Sequence, residues 1–590
     1  MTLSKKRDIS KSDQSDKVVK AKKAKVAGPP KNIAKSDGAK NDDKTEKKLS
    51  KDTAATRKNR KMTRKMQKPN YELSKETLKQ WEKLRRNKNK MTKAEKVDLV
   101  DELMKTVKKQ DKKLVDLMYA HDTSRVLQSC LKQGNEEQRQ SIYDELKSEI
   151  VNMSKNRYSK NMVWKFLKYG SSKQRDEIIH AFAGLVPKLI RKPGPASVIE
   201  FAYNIYANKE QRNFLVQQLY GNTFNVTKSN DSSTLEDVFK EQPEKKSMIL
   251  GNFKQCLTPL VDKEVITHTI VHRVFNEFFT FCDEEQLRSE AIELLRDSVI
   301  HMMHTRDGAH VAMQCLWHGT AKDRKVIVRT MKEFIRKLCQ EEYGHLALLA
   351  AFDSVDDTVF MNKALIASIV KMIPEIINNK YARKVLLYLI SPRNKSHFLP
   401  ETVTFLSQGD GNKHSKKPME TRHKELTAII SPGLVSYLKD NISTLARDKS
   451  LFMLVEAAIN HCSTDVSELI SALIELLSVP FEAGVTDGNG KLHLVEDAAG
   501  HLLVKRLISH KPDDNTSVSF AKSLLETVAS ENISSWCSCN RGSQVLLSLI
   551  QCPIEEVASK SAKMLKKNLK LLKKNKKVKS TELLIEKLSK

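Results

Sequence analysis

The pattern of apolar and polar residues predicts helices over most of the chain. From about residue 95 to residue 560, Leu, Ile and Val recur at steps of three and four, and strict alternation of apolar and polar residues is scarce. Steps of three and four place apolar side chains on one face of a helix, whereas a half-buried strand requires a step of two. A further helical pattern spans residues 74–86 and begins at Ser74, a favourable N-cap residue. The sequence therefore predicts an all-α protein.

One of these helical patterns repeats along the chain. An apolar landmark residue stands two positions after a small or polar residue, and further apolar residues follow four and five positions later. Successive landmarks lie 36, 36, 76, 37, 35 and 39 residues apart, and they are Val126, Met162, Val198, Val274, Val311, Leu346 and Val385. Three less regular copies follow, at Phe452, Leu502 and Val545. A period near 36 predicts an α-solenoid. The interval of 76 predicts an expanded or degenerate repeat around residues 219–239.

Charge is concentrated at the two ends of the chain. Of a net charge of +31, residues 1–100 contribute +19 and residues 561–590 contribute +9, which leaves +3 for the 460 residues between them. Residues 1–70 hold too little apolar surface to offset the entropy of ordering, so we expect them to be disordered. The basic clusters at 17–31 and 56–68 fit nuclear or nucleolar signals. Basic segments of this kind attract polyanions without reading their sequence.

Several classes of site lack support in the sequence. The nine cysteines are odd in number and widely spaced, which argues against a disulfide framework and for a reducing compartment. We find no apolar run long enough to span a membrane, and no signal peptide in the first residues. The histidine pairs at 268 and 272 and at 301 and 304 lack further ligands at zinc spacing. We therefore expect no metal, no cofactor and no catalysis.

Several segments resemble a known repeat family. The segment TSRVLQSCLKQG (123–134) resembles the base-reading helix of the Pumilio-type (PUF) repeat. Residues 219–224, 307–328, 346–358 and 378–394 are similar to the nucleolar Pumilio-like branch called PUF-A or penguin, which has a C-terminal CPL domain. The resemblance covers about residues 95–560. It implies a curved α-solenoid of about ten to eleven Pumilio-type helical repeats, whose second helices line the concave face.

The resemblance and the charge pattern together suggest a domain organisation. The expected segments are a disordered basic tail (1–70), a helical lead-in (71–94), an N-terminal Pumilio-type repeat array (95–400), a polar loop (401–424), a CPL domain with divergent repeats (425–560) and a basic C-terminal tail (561–590).

The resemblance also implies where nucleic acid would bind. In classical members two side chains four residues apart contact the edge of one base, and the residue after the first stacks between bases. Ser124 and Gln128, with Arg125 between them, fit an adenine reader. The corresponding residues Met313, Leu348 and Leu387 cannot form hydrogen bonds with a base edge. We therefore expect an array that has largely stopped reading sequence.

What remains on the inner surface is partly basic, and it can hold phosphates without identifying bases. The candidate RNA-binding residues are Ser124, Arg125, Gln128, Lys160, Asn161, Trp164, Lys165, His272, Arg273, Asn276, His310, Arg383 and Lys384. For each, the alternative is a solvated helix edge, and for Trp164 the alternative is packing between repeats.

Two functions are compatible with these observations. The resemblance implies a nucleolar RNA-binding scaffold that acts in ribosomal RNA processing and large-subunit biogenesis, and that represses messenger RNA in some relatives. Its expected partners are RNA (a ribosomal RNA precursor, with messenger RNA and DNA as further candidates) and pre-ribosomal proteins. We expect a monomer in the nucleus and nucleolus, without a membrane partner. The alternative is a protein-binding solenoid of the armadillo or HEAT kind in which only the tails bind RNA.

Overall fold

The structure of the chain is a computed structural model. It describes residues 71–86, 91–108, 114–228, 234–261, 264–486, 490–510, 519–574 and 579–589, together with five positions between 59 and 67. The predicted disordered tail, residues 1–70, lies almost wholly outside the described residues. The chain divides into two units, residues 1–71 and residues 72–590. The second unit holds nearly all of the described helices.

The described part of the chain contains helices and no β-strand; one isolated bridge joins Thr486 and Leu492. Eleven of the described helices, which we call the ladder helices, form a row in which each contacts the next. They are α1 (His121–Gln133), α2 (Lys160–Tyr169), α3 (Pro193–Phe201), α4 (Thr269–Phe281), α5 (Arg306–His318), α6 (Gly344–Ser354), α7 (Lys380–Ile390), α8 (Phe452–His461), α9 (Gly500–Ser509), α10 (Asn540–Ile550) and α11 (Lys579–Ser589). The prediction of an all-α solenoid is confirmed.

The remaining helices precede the row or connect its members, and we refer to them by their bounds. They are Tyr71–Arg86, Lys93–Lys108, Leu114–Met118, Glu136–Leu146, Ile150–Lys155, Ser172–His180, Val186–Leu189, Lys209–Gln217, Asn222–Thr227, Leu235–Glu241, Lys246–Val261, Glu285–Leu295, Ala321–Gln340, Thr358–Met361, Ala367–Ile376, Pro400–Leu406, Met419–Asp440, Ile442–Leu445, Ser467–Ser478, Phe520–Thr527, Ser530–Ser535, Glu555–Lys567 and Leu569–Lys574. Short 3-10 turns and two π-helical turns, Ala202–Tyr206 and Asn362–Ile366, occur between them. Within the described ranges, no helix is both long and apolar enough to cross a lipid bilayer.

The apolar landmarks explain why the ladder helices stack. Six of the seven regular landmarks are buried, and Leu346 is partly buried against the same core. Each ladder helix therefore presents an apolar stripe to both neighbours. A single helix cannot bury such a stripe by itself, so the repeats are stable only as a stack.

A second repeated feature closes the ends of the ladder helices. An arginine at the fourth position of the following helix donates a hydrogen bond from Nε to a backbone carbonyl at the end of the ladder helix or just beyond it. The pairs are Arg139 with Leu131, Arg175 with Leu167, Arg212 with Tyr203, Arg288 with Cys282 and Arg324 with Leu316. These arginines lie 36, 37, 76 and 36 residues apart, so they follow the apolar period. They satisfy carbonyls that a helix end leaves without partners.

The interval of 76 residues between Val198 and Val274 is one expanded repeat. The carboxylate of Glu200 in α3 accepts hydrogen bonds from the backbone N–H of Thr269 (2.9 Å) and of Ile270 (3.3 Å), the first residues of α4. The carboxylate thus caps the N-terminus of α4. Because α3 and α4 are direct neighbours, no member of the row is missing. The helix Lys209–Gln217 carries the periodic Arg212 and completes the repeat of α3, and the helices from Asn222 to Val261 are the additional part.

The structure differs from the predicted organisation at two places. The predicted polar loop, 401–424, contains most of the helix Pro400–Leu406 and the start of Met419–Asp440. The predicted basic tail, 561–590, is largely folded and supplies α11, which packs on α10. Leu565, Leu572, Leu584 and Leu588 are buried there, at helical spacing, while the described lysines between them face solvent. The high net charge of this segment concealed its apolar stripe.

Candidate nucleic-acid interface

The apparent adenine reader on α1 is only partly presented to solvent. Ser124 is fully buried, and its hydroxyl donates to the carbonyl of Tyr158 (3.4 Å) and accepts from Nε2 of Gln128 (3.1 Å). Arg125, between them, is exposed. The side chains of Ser124 and Gln128 are thus hydrogen-bonded to each other. A base edge could reach Ser124 only if this local structure rearranged.

On α2, three lysines lie beside aromatic rings. The ammonium of Lys160 is 5.5 Å from the ring centre of Trp164, and those of Lys165 and Lys168 are 5.5 and 5.7 Å from that of Tyr169. Such cation–π contacts hold a cation at the surface without neutralising it. Among the described residues, no carboxylate pairs with any of the three lysines.

The aromatic side of α2 also contacts α3. The rings of Trp164 and Phe201 are 5.6 Å apart and tilted by 41°, so the indole packs between neighbouring repeats. Asn161, on the same helix, donates weakly to the carbonyl of Tyr158 (3.4 Å). Trp164 therefore has the packing role that was the alternative to base stacking, while its neighbour Lys160 remains a surface cation.

In the repeats of α1–α3, basic and acidic residues occupy different segments. Residues 150–171, which include α2, contain five Lys or Arg and no Asp or Glu, and residues 181–199 contain three and none. The acidic residues of the same repeats are concentrated elsewhere, for example at Glu136, Glu137 and Asp144 on the connecting helix. α3 itself holds no Lys or Arg, and the three cations of residues 181–199, Lys188, Arg191 and Lys192, directly precede it. We use the name open face for the surface cations from α1 to the start of α3, which are Arg125, Lys155, Arg157, Lys160, Lys165, Lys168, Lys188, Arg191 and Lys192.

On α4, His272 does not face solvent. It is fully buried, its Nδ1 is 2.7 Å from the hydroxyl of Thr305, and its Nε2 is 2.7 Å from the carbonyl of Ile266. Burial, together with the nearby His304, lowers the pKa of His272 to about 3. A neutral imidazole with both nitrogens in internal hydrogen bonds cannot hold a phosphate. The prediction that His272 contributes to the binding surface does not agree with this placement.

Arg273 and Asn276 belong to an internal polar network. Nε of Arg273 is 2.8 Å from the carboxylate of Glu277, and Nη2 donates to Asn213 (2.7 Å). Asn276 donates to Asp307 (3.3 Å). The charge of Arg273 is balanced within the fold, and the guanidinium links α4 to the helix Lys209–Gln217. We therefore exclude Arg273 from the open face, despite its position.

On α5, His310 is covered by another part of the chain. Its ring stacks on Phe405, with centroids 4.0 Å apart and an angle of 29° between the planes. Burial, with the adjacent Arg306, lowers the pKa of His310 to about 4. The side chain is neutral near pH 7 and is already stacked. It cannot take a base or a phosphate in this arrangement.

On α7, Arg383 and Lys384 are half-buried. Nη1 of Arg383 donates to the carbonyls of Ile377 (3.3 Å) and Asn378 (3.0 Å), and burial lowers its pKa. Burial, and the neighbouring Lys380, lower the pKa of Lys384. Both groups lie far along the row from α1 and α2. Their contact with nucleic acid stays a prediction.

The structure therefore brings together Arg125, Lys160 and Lys165, and separates them from the predicted residues on α4, α5 and α7. The search for repeated triplets missed the other cations of the same face, which are Lys155, Arg157, Lys168, Lys188, Arg191 and Lys192. The signal that would have found them is the absence of any acidic residue from 150–171 and 181–199.

Comparison with family models and known proteins agrees with this architecture. A model described as the Pumilio-family RNA binding repeat matches residues 124–147, which include most of α1, and a model of the CPL (NUC119) domain matches residues 378–517. The second match begins before the predicted boundary at 425 and ends before residue 560, so the domain boundaries stay a prediction.

Among relatives, human Pumilio homolog 3 is 44% identical over 530 residues, which are 88% of this chain and 80% of the relative. Pumilio domain-containing protein 12 of Caenorhabditis elegans is 35% identical over 486 residues, or 80% of this chain and 62% of that protein.

The crystal structure of human Puf-A superposes with a TM-score of 0.82 and 44% identity, and covers 88% of this chain and 99% of that one. Human Puf-A has also been solved in complex with DNA, and that structure gives a TM-score of 0.81 at 42% identity, over 88% of this chain and 100% of the other. With this similarity in sequence and fold, the chain belongs to the Pumilio homolog 3 (Puf-A) family.

Proposed function

We propose that the protein binds nucleic acid through its phosphates, on the open face across α1–α3. The observation that carries this proposal is the acid-free stretch 150–171, whose five cations have no internal carboxylate partner among the described residues. Cations that the fold leaves unneutralised are free to replace the counterions around phosphates, and the release of those counterions drives binding. The complex of human Puf-A with DNA supports the same class of ligand.

Base identity contributes little to this binding. Only α1 retains a polar triplet of the reading type, and its Ser124 is buried. The corresponding Met313 and Leu348 are buried and apolar. Phosphate contacts fix position and supply affinity, whereas specificity requires contacts with base edges. We therefore infer an RNA-binding scaffold with weak sequence preference.

The cellular role that best fits this chemistry is work on ribosomal RNA. The family, the lysine-rich residues 1–100 and the phosphate-binding face support a nucleolar protein that acts in ribosomal RNA processing and large-subunit biogenesis, together with pre-ribosomal proteins. Regulation of messenger RNA translation is a further role of the same surface. Crosslinking of the protein to RNA in cells, followed by sequencing, tests this: recovery mainly of ribosomal RNA precursors is expected, and recovery mainly of mature messenger RNA would redirect the proposal.

The alternative of a protein-binding solenoid rests on two features, the nearly neutral charge of residues 101–560 and the apolar inner positions Met313, Leu348 and Leu387. The second feature does not provide a docking surface. All three are buried within the chain itself. They are therefore not offered to a partner protein.

The lack of base reading can be tested directly on α1. We expect Ser124→Ala and Gln128→Ala to change the affinity for an adenine-rich RNA by less than about threefold, well under the 1.4 kcal/mol of a tenfold change. Replacing adenine in the RNA should have no larger effect on the wild-type protein. Fluorescence anisotropy measures both. A tenfold preference for adenine that disappears in the two variants would contradict the proposal of phosphate binding without base reading.

A further inference from the structure

A segment of the chain lies against the ladder helices at α5 and α6. Residues 391–418, which we call the cover segment, connect α7 to the helix Met419–Asp440. The helix Pro400–Leu406 within it places Phe405 in parallel contact with His310 of α5. The turn that follows, Ser407–Gly409, packs on both α5 and α6.

The covered side of α5 corresponds to the open face of α1. His310 directly precedes the landmark Val311, as Arg125 precedes Val126, so the two side chains leave their helices at equivalent positions. Arg125 is exposed, whereas His310 is half-buried beneath Phe405. The same face of the row is thus open at α1 and closed at α5.

The contact between the cover segment and α5 leaves no intervening space. A Cβ atom on Gly409 would lie 2.3 Å from the indole ring of Trp317, closer than any side chain can approach. Glycine at this position allows the backbone of the cover segment to rest directly on the ring.

One buried arginine ties the cover segment to two ladder helices. Arg324 is 2% exposed, and its guanidinium makes five hydrogen bonds at distances of 2.6 to 2.9 Å. Three of these hydrogen bonds go to backbone carbonyls at the ends of α5 and α6, and two go to the cover segment. The acceptors are the carbonyls of Leu316, Trp317 and Ser354 and the side chains of Asn412 and Ser415.

Two further arginines hold the segment at other points. Arg393 donates to both carboxylate oxygens of Asp410 (2.6 and 2.7 Å) and to Asp353 of α6 (2.8 Å). Arg422, 2% exposed, donates to the carbonyl of Lys417 (2.8 Å) and to Asp356 (2.7 Å). Displacement of the segment would separate Arg393 from the buried Asp353 and Arg422 from the carbonyl of Lys417, and the loss of a partner by a buried charged group is costly.

We propose that the cover segment closes the ladder face to nucleic acid over α5 and α6, so that a bound strand is confined to the open face across α1–α3. The inference rests on the proposed function and adds the boundary of its site. The segment occupies the surface with its own aromatic ring, and three arginines keep it there. Arg324, the buried cation beneath the segment, already makes five hydrogen bonds within the fold, so it offers little to a phosphate.

Mapping of crosslinks on the intact protein tests the boundary. The full-length chain is bound to a mixed-sequence single-stranded RNA of about 20 nucleotides, longer than the footprint of one single-strand site. After ultraviolet irradiation and digestion, mass spectrometry identifies the modified peptides. We expect crosslinks within 121–133 and 150–171 and none within 306–318, 344–354 or 397–409. Crosslinks in the last three ranges overturn the boundary while the proposed function stands. Absence of both crosslinks and binding overturns both.

Matched variants give a second test. Arg125→Ala removes a cation of the open face and should weaken RNA binding about threefold or more at low salt, because one phosphate is then left without its partner. His310→Ala, at the equivalent position on α5, should leave the affinity within about twofold of wild type, as should His310→Phe, which keeps a ring against Phe405. A loss of affinity in both His310 variants equal to that of Arg125→Ala, with unchanged thermal unfolding, would overturn the proposal.

Discussion

The three lysines of α2 offer the most direct test of the phosphate-binding face. In the triple variant Lys160→Gln, Lys165→Gln and Lys168→Gln, the aromatic rings and the helix remain, and only the charges are removed. None of these lysines forms an ion pair within the described residues, so the fold loses no salt bridge. Glutamine also favours helix about as well as lysine does. The variant therefore isolates the contribution of charge to binding.

The size of the effect follows from counterion release. Each phosphate that a cation neutralises on a single strand contributes about −0.7 to the slope of log K against log salt concentration. Removal of three phosphate-binding cations should make the slope shallower by about 2. Between about 50 and 200 mM salt, the wild-type affinity should thus fall about twentyfold more than that of the variant. The five cations of residues 150–171 set the upper limit for this stretch.

The assay is fluorescence anisotropy with a labelled single-stranded RNA at four salt concentrations, and the control is a variant of equal charge. Lys240, Lys439 and Lys560 each pair with a surface glutamate at 2.7 to 2.8 Å. Their replacement by Gln lowers the net charge by the same amount but leaves the open face unchanged. If the control flattens the slope as much as the α2 variant, binding follows the overall charge and the reasoning from the open face is refuted.

Three further predictions concern stability. Arg324→Met should lower the free energy of unfolding by about 2–4 kcal/mol, because buried carbonyls lose their donors. Arg175→Met removes fewer hydrogen bonds and should cost about 1 kcal/mol. Thermal unfolding compares the two variants, and equal losses would contradict the role of Arg324 as a buried donor to several carbonyls. Gly409→Ala should lower the free energy of unfolding by about 1–3 kcal/mol, because its methyl group overpacks against the indole ring beneath it. The control Gly251→Ala places its Cβ in open space within a helix and should be neutral or stabilising by up to about 1 kcal/mol. Urea titrations measure both. Burial lowers the pKa of His310 to about 4 in the folded chain, so the stability that its neutral form contributes is complete above the ordinary pKa of about 6.5 and declines as the pH falls toward 4. His310→Phe should therefore reduce the loss of unfolding free energy between pH 7 and pH 5. An unchanged pH dependence would show that the stacked ring titrates freely.

The apolar period was sufficient to predict the row of helices, because burial of the landmarks is what makes the row. Val126 and Val311, for example, are both buried where the spacing placed them. The same reasoning missed α11, since its leucines are separated by lysines that dominate the composition of residues 561–590. It also missed the arginines that close the helix ends, such as Arg139 and Arg175. A pattern of polar residues with the same 36-residue period would have revealed them.

The candidate site was harder to predict, because sequence shows which residue occupies a position and not which partners surround it. Arg273 and Arg125 occupy the same position in their repeats, directly before the landmarks Val274 and Val126. Arg273 donates to Glu277 and to Asn213, the second of which lies 60 residues away in the chain. The apolar period does not reveal which polar side chain a neighbouring repeat places beside a cation. The triplet pattern therefore selected His272, Arg273 and His310 together with Arg125, although only the last of these is open.

The determinant of a phosphate-binding surface is thus the absence of internal partners and not the presence of basic residues. Among the predicted binding residues, cations occur on the open face and on α4 and α7, but the fold supplies Arg273 with a carboxylate and Arg383 with backbone carbonyls. A cation that is already satisfied gains little from a phosphate, because it must first give up an equivalent interaction. Lys160 and Lys165 have aromatic neighbours instead, which orient an ammonium without neutralising it. For this reason a stretch without acidic residues, rather than a reading triplet, identifies the part of this chain that is available to nucleic acid.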